Sequence, residues 1–351
     1  MTPPAASSPP TAPVEARDHG GGLDAARARH GGERSDWLDL STGINPLAYP
    51  VEGIPSAAWT ELPDAGAQAE LLTAARRFWQ VPDRLAVLAV PGTSSAIAHM
   101  PRLAGRLAPP SADGAPRAVL IRQRTYNEHA AAFRQAGWQV LHAASAGTPP
   151  SAAVLVHPDN PTGDLWPDPL AAAGQDGLLV IDESFGECCP HASHVPLAGG
   201  RVVVLKGLGK FWGLAGLRLG FVIGEASLLT PLAEALGPWP VSGPALTLGA
   251  RALSDAGWIA ATRARVARDA DRLDALMAPH LAPGASPRGT TLFRLYTVAD
   301  AAALQDRLAR ARIWSRVFPY DPTWIRLGLP GRAEDWDRLT EALASAPGAA
   351  P

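Results

Sequence analysis

From about residue 84 onward the chain alternates short apolar runs with longer amphipathic stretches, and this alternation restricts its fold more than any other feature. The apolar runs predict strands over 86–90, 118–122, 154–157, 178–182, 202–206 and 219–223. Several are continuous runs of Val, Leu and Ile, which is typical of strands covered by helices on both faces. The pattern therefore predicts an α/β architecture with a mainly parallel sheet.

The amphipathic stretches predict helices over 66–79, 94–107, 127–137 and 225–236, and one long helix over 244–276. After residue 283 the pattern changes to a strand (290–296), a helix (300–311), a strand (324–327) and a helix (332–345). We interpret 51–276 as a large domain and 277–351 as a smaller α+β domain, with the long helix linking them. Residues 18–50 are expected to pack near the small domain and the active site, and residues 1–17 to form a disordered tail.

Composition and charge exclude several classes of function. Lys and Arg number 31 against 33 Asp and Glu, so there is no electrostatic reason to expect nucleic-acid or anionic-membrane binding. No run is long enough to span a membrane, and the N-terminus lacks the apolar core of a signal peptide. Cys188 and Cys189 are adjacent, a spacing that suits neither a stapling disulfide nor a metal site. We expect no metal and a reducing, cytoplasmic setting.

Polar residues follow the ends of the predicted strands, where open parallel sheets bind ligands. Thr93 and Ser94 begin a helix whose backbone N–H groups suit a phosphate, although a capping turn is the commoner explanation of such residues. Asn160 lies in a Pro- and Gly-rich segment that, taken alone, is an ordinary loop. Asp182 ends a strand, where a helix cap and a site residue are equally open interpretations.

Both lysines of the chain lie in one glycine-rich segment, 206–220. Of the 31 basic residues only Lys206 and Lys210 are lysine, so 29 are arginine. Where arginine has replaced lysine almost everywhere, a remaining lysine suggests a role that needs an amine. An ordinary solvated loop is therefore a poor explanation of this segment.

Four motifs taken in order resemble the fold-type I pyridoxal-phosphate enzymes, the aspartate-aminotransferase-like superfamily. They are Gly-Thr-Ser-Ser at 92–95, Asn-Pro-Thr-Gly at 160–163, Asp-Glu at 182–183 and a lysine followed eight residues later by an arginine at 210–218. The resemblance covers roughly residues 18–345. It implies a pyridoxal 5'-phosphate (PLP) cofactor, a seven-stranded, mainly parallel sheet with a smaller α+β domain, and a homodimer.

The resemblance also implies roles for individual residues. Lys210, Asp182 and Tyr126 would be catalytic: Lys210 as the Schiff-base lysine, Asp182 as the partner of the pyridine nitrogen and Tyr126 stacked on the ring. These roles suit the chemistry, because a carboxylate keeps the ring positively charged and an amine of lowered pKa can attack a carbonyl. The implied cofactor-binding residues are Gly92, Thr93, Ser94, Tyr126, Asn160, Asp182, Gly209, Lys210 and Arg218.

Two departures from the superfamily pattern concern the cofactor phosphate. Gly207 and Gly209 stand where hydroxyl residues are usual, and Leu62 stands where an aromatic often reaches the partner's phosphate. Affinity would then rest more on backbone N–H groups and Arg218. We expect Lys206 to be an incidental basic residue that arginine could replace.

Stretches at 18–26, 38–46, 209–216 and 237–245 resemble the threonine-phosphate decarboxylase family of cobalamin biosynthesis, which is related to the histidinol-phosphate aminotransferases. The resemblance implies that Arg326 holds the substrate's α-carboxylate through its planar fork, and that Arg316 and His19 hold its phosphate. Gly43 and Asn160 are further implied substrate contacts. A mobile tail histidine and ordinary surface arginines are the alternatives.

The implied reaction converts L-threonine O-3-phosphate into (R)-1-amino-2-propanol O-2-phosphate and carbon dioxide. An aminotransferase acting on histidinol phosphate or a similar amino acid uses the same residues and stays open. A non-catalytic binding protein is a third alternative. We do not favour it, because such a relative would be expected to carry a DNA-binding module or to lack the lysine at 210.

Overall fold

The computed structural model describes residues 20–108, 116–143, 150–172 and 177–345. Its α-helices are α1 (Leu23–His30), α2 (Ala57–Thr60), α3 (Ala65–Phe78), α4 (Thr93–Leu107), α5 (Asn127–Gln135), α6 (Ala226–Leu236), α7 (Gly243–Ser254), α8 (Ala256–Met277), α9 (Ala301–Arg310) and α10 (Ala333–Ala344). Its strands are β1 (Leu38–Asp39), β2 (Ala86–Val90), β3 (Ala118–Ile121), β4 (Gln139–Leu141), β5 (Ala152–Val156), β6 (Leu178–Asp182), β7 (Val202–Gly207), β8 (Gly220–Gly224), β9 (Arg288–Thr290), β10 (Phe293–Thr297), β11 (Ile313–Trp314), β12 (Arg316–Phe318) and β13 (Asp321–Gly328).

The central sheet has seven strands in the order β2-β8-β7-β6-β5-β3-β4. Only β8 is antiparallel to its neighbours, so the predicted α/β fold with a mainly parallel sheet is confirmed. The six predicted strands lie within two residues of those observed. Strand β4 was not predicted, because it is three residues long and lies at the sheet edge, where its first residue, Gln139, is exposed.

Alternate side chains of each central strand point to opposite faces of the sheet. In β6, Leu179 and Ile181 pack with α3, α7 and α8, whereas Leu178 and Val180 pack with α4, α5 and α6. Both faces are buried, which explains the continuous apolar runs. No helix among the described residues is long and apolar enough to cross a membrane.

The predicted long helix over 244–276 is wrong, because two helices, α7 and α8, meet at Asp255. The carboxylate of Asp255 accepts a hydrogen bond from the backbone N–H of Trp258 at 2.9 Å and another from the Tyr49 hydroxyl at 3.2 Å. An aspartate that caps a helix in this way satisfies an N–H group of its first turn and offers the backbone an alternative to the continued helix. The chain therefore turns at Asp255 and starts a new helix.

A second sheet, of four antiparallel strands in the order β12-β13-β10-β9, forms nearer the C-terminus. The predicted strand 290–296 is in fact β9 and β10, separated by a turn. The N-terminal segment joins this part of the molecule, since β1 pairs in parallel with β11 and the N–H of Gly328 donates to the carbonyl of Leu40. Strands β1, β11 and β12 and helix α1 were not predicted, being too short to show a clear period.

Beyond β1, the N-terminal segment crosses the loop that follows β7. The N–H of Asn45 donates to the carbonyl of Lys210 at 3.0 Å, and the N–H of Tyr49 donates to the carbonyl of Trp212 at 2.8 Å. The Asn45 side chain also donates to the Phe211 carbonyl at 2.8 Å. These bonds fix the backbone at Lys210 and at the two residues that follow it.

This crossing requires glycine at position 213. Gly213 has a φ of +70°, and a Cβ there would lie 2.7 Å from the carbonyl oxygen of Asn45 and 2.8 Å from the Cα of Ala48. Both obstacles are backbone atoms, which cannot rotate away. Only glycine allows the two segments to approach so closely.

We predict that Gly213→Ala destabilises the fold more than Gly137→Ala does. Gly137 has a similar φ of +79° but nothing within 4 Å of an added Cβ, so its substitution tests the backbone conformation alone, at about 1 kcal/mol. Gly213→Ala adds steric overlap worth a further ~1–3 kcal/mol. Urea unfolding followed by circular dichroism measures both, and equal shifts in midpoint would contradict the steric argument.

Candidate active site

The polar residues of the site meet at one edge of the central sheet. Strands β2, β5, β6 and β7 run parallel and end there, and β8, which runs the opposite way, starts there just after Arg218. A cavity of about 200 Å³ opens at this edge. It is lined by all nine residues that the sequence predicts around the cofactor: Gly92, Thr93, Ser94, Tyr126, Asn160, Asp182, Gly209, Lys210 and Arg218.

Asp182 is a buried carboxylate with a hydrogen-bond donor on each oxygen. Its Oδ2 accepts from Nε2 of His129 at 2.8 Å, and its Oδ1 accepts from the hydroxyl and the N–H of Ser184 at 2.5 and 2.9 Å. Burial by itself raises the pKa of Asp182, but the hydrogen bonds from His129 and Ser184 outweigh it and leave the pKa below its ordinary value. The cavity therefore contains a carboxylate that stays charged.

His129, which contacts Asp182 from the side of α5, was not predicted as a site residue. His129 is fully buried, and its ring lies 6.0 Å from that of Tyr126 in an edge-on arrangement. The spacing from Tyr126 could have indicated His129, because residues three apart at the start of a helix lie on the same face and Tyr126 was itself predicted in the site. Burial and then the charge of Asp182 raise the pKa of the Tyr126 phenol, so this group stays protonated.

Lys210 lies in the loop after β7, with its amine directed into the cavity. Nζ donates to the carbonyl of Thr42 at 3.3 Å and lies 5.4 Å from the ring centre of Phe185. Burial, followed by the positive charges of Arg326 and Arg316, lowers the pKa of Lys210 to about 8. A substantial neutral fraction is thus available near neutral pH, and only a neutral amine is a nucleophile.

Another part of the cavity wall suits an anion. Helix α4 begins there at Thr93, and the first N–H groups of a helix lack partners within it. The guanidinium of Arg218 lies beside Gly92, where a Cβ would come within 2.5 Å of its Nη2. Gly207 also lines this part, and a Cβ there would press on the Thr93 methyl group at 3.3 Å. Glycine at both positions lets Arg218 and Thr93 lie close to this part of the cavity.

The donor set fits PLP. A charged carboxylate at one end suits the protonated ring nitrogen, an amine of lowered pKa suits the aldehyde, and Arg218 with the start of α4 suits the phosphate. Glycine at position 92 supports the same interpretation, because it lets the Arg218 guanidinium lie against the start of α4, where the phosphate would bind.

A second cavity of about 340 Å³ adjoins the first and shares Ser94, Tyr126, Asn160 and Lys210 with it. It is also lined by Gly20, Thr42, Glu128, Arg316 and Arg326. The predicted substrate residues Asn160, Arg316 and Arg326 are thus brought together beside Lys210.

Two further residues, Gly43 and His19, were predicted to contact the substrate. Gly43 lines neither cavity, and a Cβ there would meet the Phe293 ring at 3.1 Å, so its position is explained by close packing. His19 lies outside the described residues, although the neighbouring Gly20 does line the second cavity.

Arg326 is a fixed, buried cation that reaches the cavity from β13. It is 1% exposed and donates to the Asn160 side-chain oxygen and to the carbonyl of Ser41. Its guanidinium lies 5.0 Å from the centre of the Phe293 ring. An arginine held on several sides presents its charge to an anion in one orientation.

The prediction that Lys206 is an incidental basic residue is wrong. Lys206 is 1% exposed, and its Nζ lies 2.5 Å from Glu183 and 3.3 Å from Glu187. Glu187 also accepts from the indole N–H of Trp79 at 2.8 Å. Burial alone lowers the pKa of Lys206, but the two carboxylates outweigh it and raise the pKa, so this lysine stays charged.

The adjacent cysteines are chemically quiet. Burial raises the pKa of Cys188 to about 11 and that of Cys189 to about 12. Because the thiolate is the reactive form, neither residue is a nucleophile near neutral pH.

Comparison with known proteins agrees with this geometry. The chain belongs to the class I and II aminotransferase family, whose model matches residues 55–343. It is 41% identical over 340 residues to a threonine-phosphate decarboxylase of a Sinorhizobium species, covering 93% of this chain and 97% of that relative. A threonine-phosphate decarboxylase of Pseudomonas aeruginosa is 37% identical over the same shares of the two chains.

A similar solved structure is the histidinol-phosphate aminotransferase of Sinorhizobium meliloti in complex with pyridoxal-5'-phosphate. Its TM-score is 0.71 at 19% identity, and the match covers 92% of this chain and 93% of that one. Together with the family match, this likeness confirms the predicted fold class.

We predict that the two lysines titrate far apart in the cofactor-free protein. Protein labelled with ¹³C at lysine Cε gives two signals, since the chain has two lysines. The Lys210 signal is expected to titrate near pH 8, because burial and two guanidiniums disfavour its charge. The Lys206 signal is expected to remain that of the ammonium while Lys210 titrates, because two carboxylates stabilise the charged form of Lys206.

Lys210→Arg assigns the signals by removing one of them. Titration of the Lys210 signal near the ordinary lysine value of about 10.4 would contradict the proposed electrostatics.

Proposed function

We propose that this chain binds PLP and decarboxylates L-threonine O-3-phosphate to (R)-1-amino-2-propanol O-2-phosphate, as a step of cobalamin biosynthesis. The observation that carries the proposal is the nearly full-length similarity to two threonine-phosphate decarboxylases. The proposal is also supported by the two adjoining cavities, of which the first is lined by residues that fit PLP and the second by Arg316 and Arg326. A cytoplasmic location and the division into domains at residue 276 stay predictions.

The cofactor, when bound, supplies a ring that accepts the electron pair left behind as carbon dioxide departs. Asp182, held charged by His129 and Ser184, would keep a proton on the ring nitrogen. Tyr126 would cover one face of the ring, and Asn160 would hydrogen-bond its hydroxyl. Arg218 and the first N–H groups of α4 would hold the cofactor phosphate.

Two arginines at different points of the second cavity would orient the substrate. Arg326, fixed by Asn160 and Ser41, would hold the α-carboxylate, and Arg316 would hold the phosphate. An amino acid held at both ends cannot rotate freely about its α-carbon. The bond that stands perpendicular to the ring is the one that breaks, so this anchoring decides between decarboxylation and transamination.

Lys210 would complete the reaction as a proton donor. Its Nζ, with a pKa of about 8, can hold a proton and deliver it to the α-carbon after the carboxylate has left. The same amine, when neutral, would hold the cofactor through its aldehyde. Arginine could serve in neither role, because it stays protonated.

The expected result is carbon dioxide release from L-threonine O-3-phosphate in the presence of PLP without any 2-oxo acid. In Lys210→Ala the rate should fall by about 10²–10⁴-fold, the contribution of a positioned proton-transfer group. Release of ¹⁴C-labelled carbon dioxide measures both rates, with and without 2-oxoglutarate.

Strict dependence on a 2-oxo acid would identify an aminotransferase instead. Absence of both turnover and a PLP absorbance band would favour the binding-protein alternative.

We further propose that a second copy of the chain covers an exposed apolar face. The proposed face groups Trp239 with four residues of segment 47–62, Leu47, Val51, Trp59 and Leu62, all of which are large and exposed. Trp59 lies on α2, which packs against α7. Soluble monomers rarely leave so much apolar surface uncovered.

The protein is accordingly expected to sediment as a dimer, and Trp59→Glu to sediment as a monomer, because the change places a charge in the covered face. Leu170→Glu is the matched control, since Leu170 is 42% exposed and lies outside this face. Sedimentation velocity distinguishes the species. A monomeric unaltered protein would refute the proposed dimer.

A further inference from the structure

Ser184 lines the first cavity, and no role was predicted for it from the sequence. It follows Asp182 by two residues, at the turn where β6 ends. Its hydroxyl donates to Oδ1 of Asp182 at 2.5 Å, and its backbone N–H donates to the same oxygen at 2.9 Å. One residue thus supplies both donors to one oxygen of the carboxylate.

The two sides of the carboxylate are held by different parts of the fold. His129, on α5, occupies Oδ2, whereas Ser184 occupies Oδ1 from the strand end itself. With an oxygen fixed on each side, the carboxylate cannot rotate about its Cβ–Cγ bond. A hydrogen bond to a charged acceptor is shorter and stronger than one between neutral groups, as the 2.5 Å hydroxyl contact illustrates.

The next residue shows that this arrangement is specific to Asp182. Glu183 points away from the cavity and takes its hydrogen bonds from Lys206, Ser193 and the N–H of His194. Each of the two consecutive carboxylates therefore has its own serine, and only that of Asp182 faces the cavity. Ser193, whose hydroxyl donates to Glu183, therefore provides a matched comparison.

We propose that the Ser184 hydroxyl is a positioning group that holds the Asp182 carboxylate in the orientation needed to grip the cofactor's ring nitrogen. The inference rests on the proposed function only in assuming that PLP is the cofactor. Ser184 itself touches no reacting atom and acts through Asp182. The backbone N–H donor is kept in Ser184→Ala, so this substitution measures the contribution of the hydroxyl separately.

Ser184→Ala is expected to weaken PLP binding to the cofactor-free protein by about 10-fold or more, the usual loss for a hydrogen bond to a charged group. Ser184→Thr keeps the hydroxyl and should restore affinity to within about 3-fold of the unaltered protein. Ser193→Ala, which removes a hydroxyl from Glu183 instead, should leave PLP affinity unchanged. Quenching of tryptophan fluorescence by added PLP gives all four dissociation constants.

A double-mutant cycle separates positioning from a general structural effect. On an Asp182→Asn background, Ser184→Ala should cause no further loss of PLP affinity, because the charged acceptor is already gone. In the loaded enzyme, Ser184→Ala should lower kcat and leave the KM for the phosphorylated amino acid unchanged, since Arg316 and Arg326 are untouched.

Unchanged PLP affinity in Ser184→Ala, or the same loss on the Asp182→Asn background as on the unaltered one, would overturn the inference. Failure of the unaltered protein to bind PLP would instead refute the proposed function. The two failures are therefore distinguishable in one set of titrations.

Discussion

The rest of the site depends on a buried ion pair just beneath it, between the ammonium of Lys206 and the carboxylate of Glu183. The pair joins the ends of β6 and β7, the two strands from which Asp182 and the Lys210 loop continue. Burial alone would raise the pKa of Glu183, but the charge of Lys206 outweighs burial and lowers it. The stabilisation that the charged carboxylate gives to the folded state is therefore lost as the pH falls through this lowered pKa. Removing one partner of a buried pair generally costs about 3–5 kcal/mol, because the other charge is left without compensation.

The two lysines illustrate how neighbours decide what burial does to an amine. Burial by itself would lower the pKa of both amines. Lys206 faces carboxylates and stays charged, whereas Lys210 faces the guanidiniums of Arg326 and Arg316 and becomes easy to deprotonate. Residues four apart in one segment thus have opposite chemistry, one structural and one suited to reaction.

The central sheet and the cofactor cavity could be predicted from the sequence, because strands buried on both faces are continuous apolar runs and the motifs directly follow their ends. The features that were missed depend on distant partners. Lys206 pairs with carboxylates that lie 19 and more residues earlier and touches Trp79, and no local pattern announces such contacts. Asp255 stopped the long helix because its own carboxylate competes for the backbone, a local effect that helical periodicity does not register. Gly43 was assigned to substrate, yet its neighbour is the Phe293 ring, 250 residues later.

The burial of Lys206 also bears on covalent labelling of this protein. Amine-directed reagents ordinarily modify many surface lysines, so the extent of labelling gives no information on any single site. Here 29 of the 31 basic residues are arginines, and Lys206 is buried in an ion pair, which leaves Lys210 as the one lysine that is not buried. Among the side chains, an acylating or aldehyde reagent would therefore modify Lys210 selectively, and protection of that amine would directly measure occupancy of the cavity.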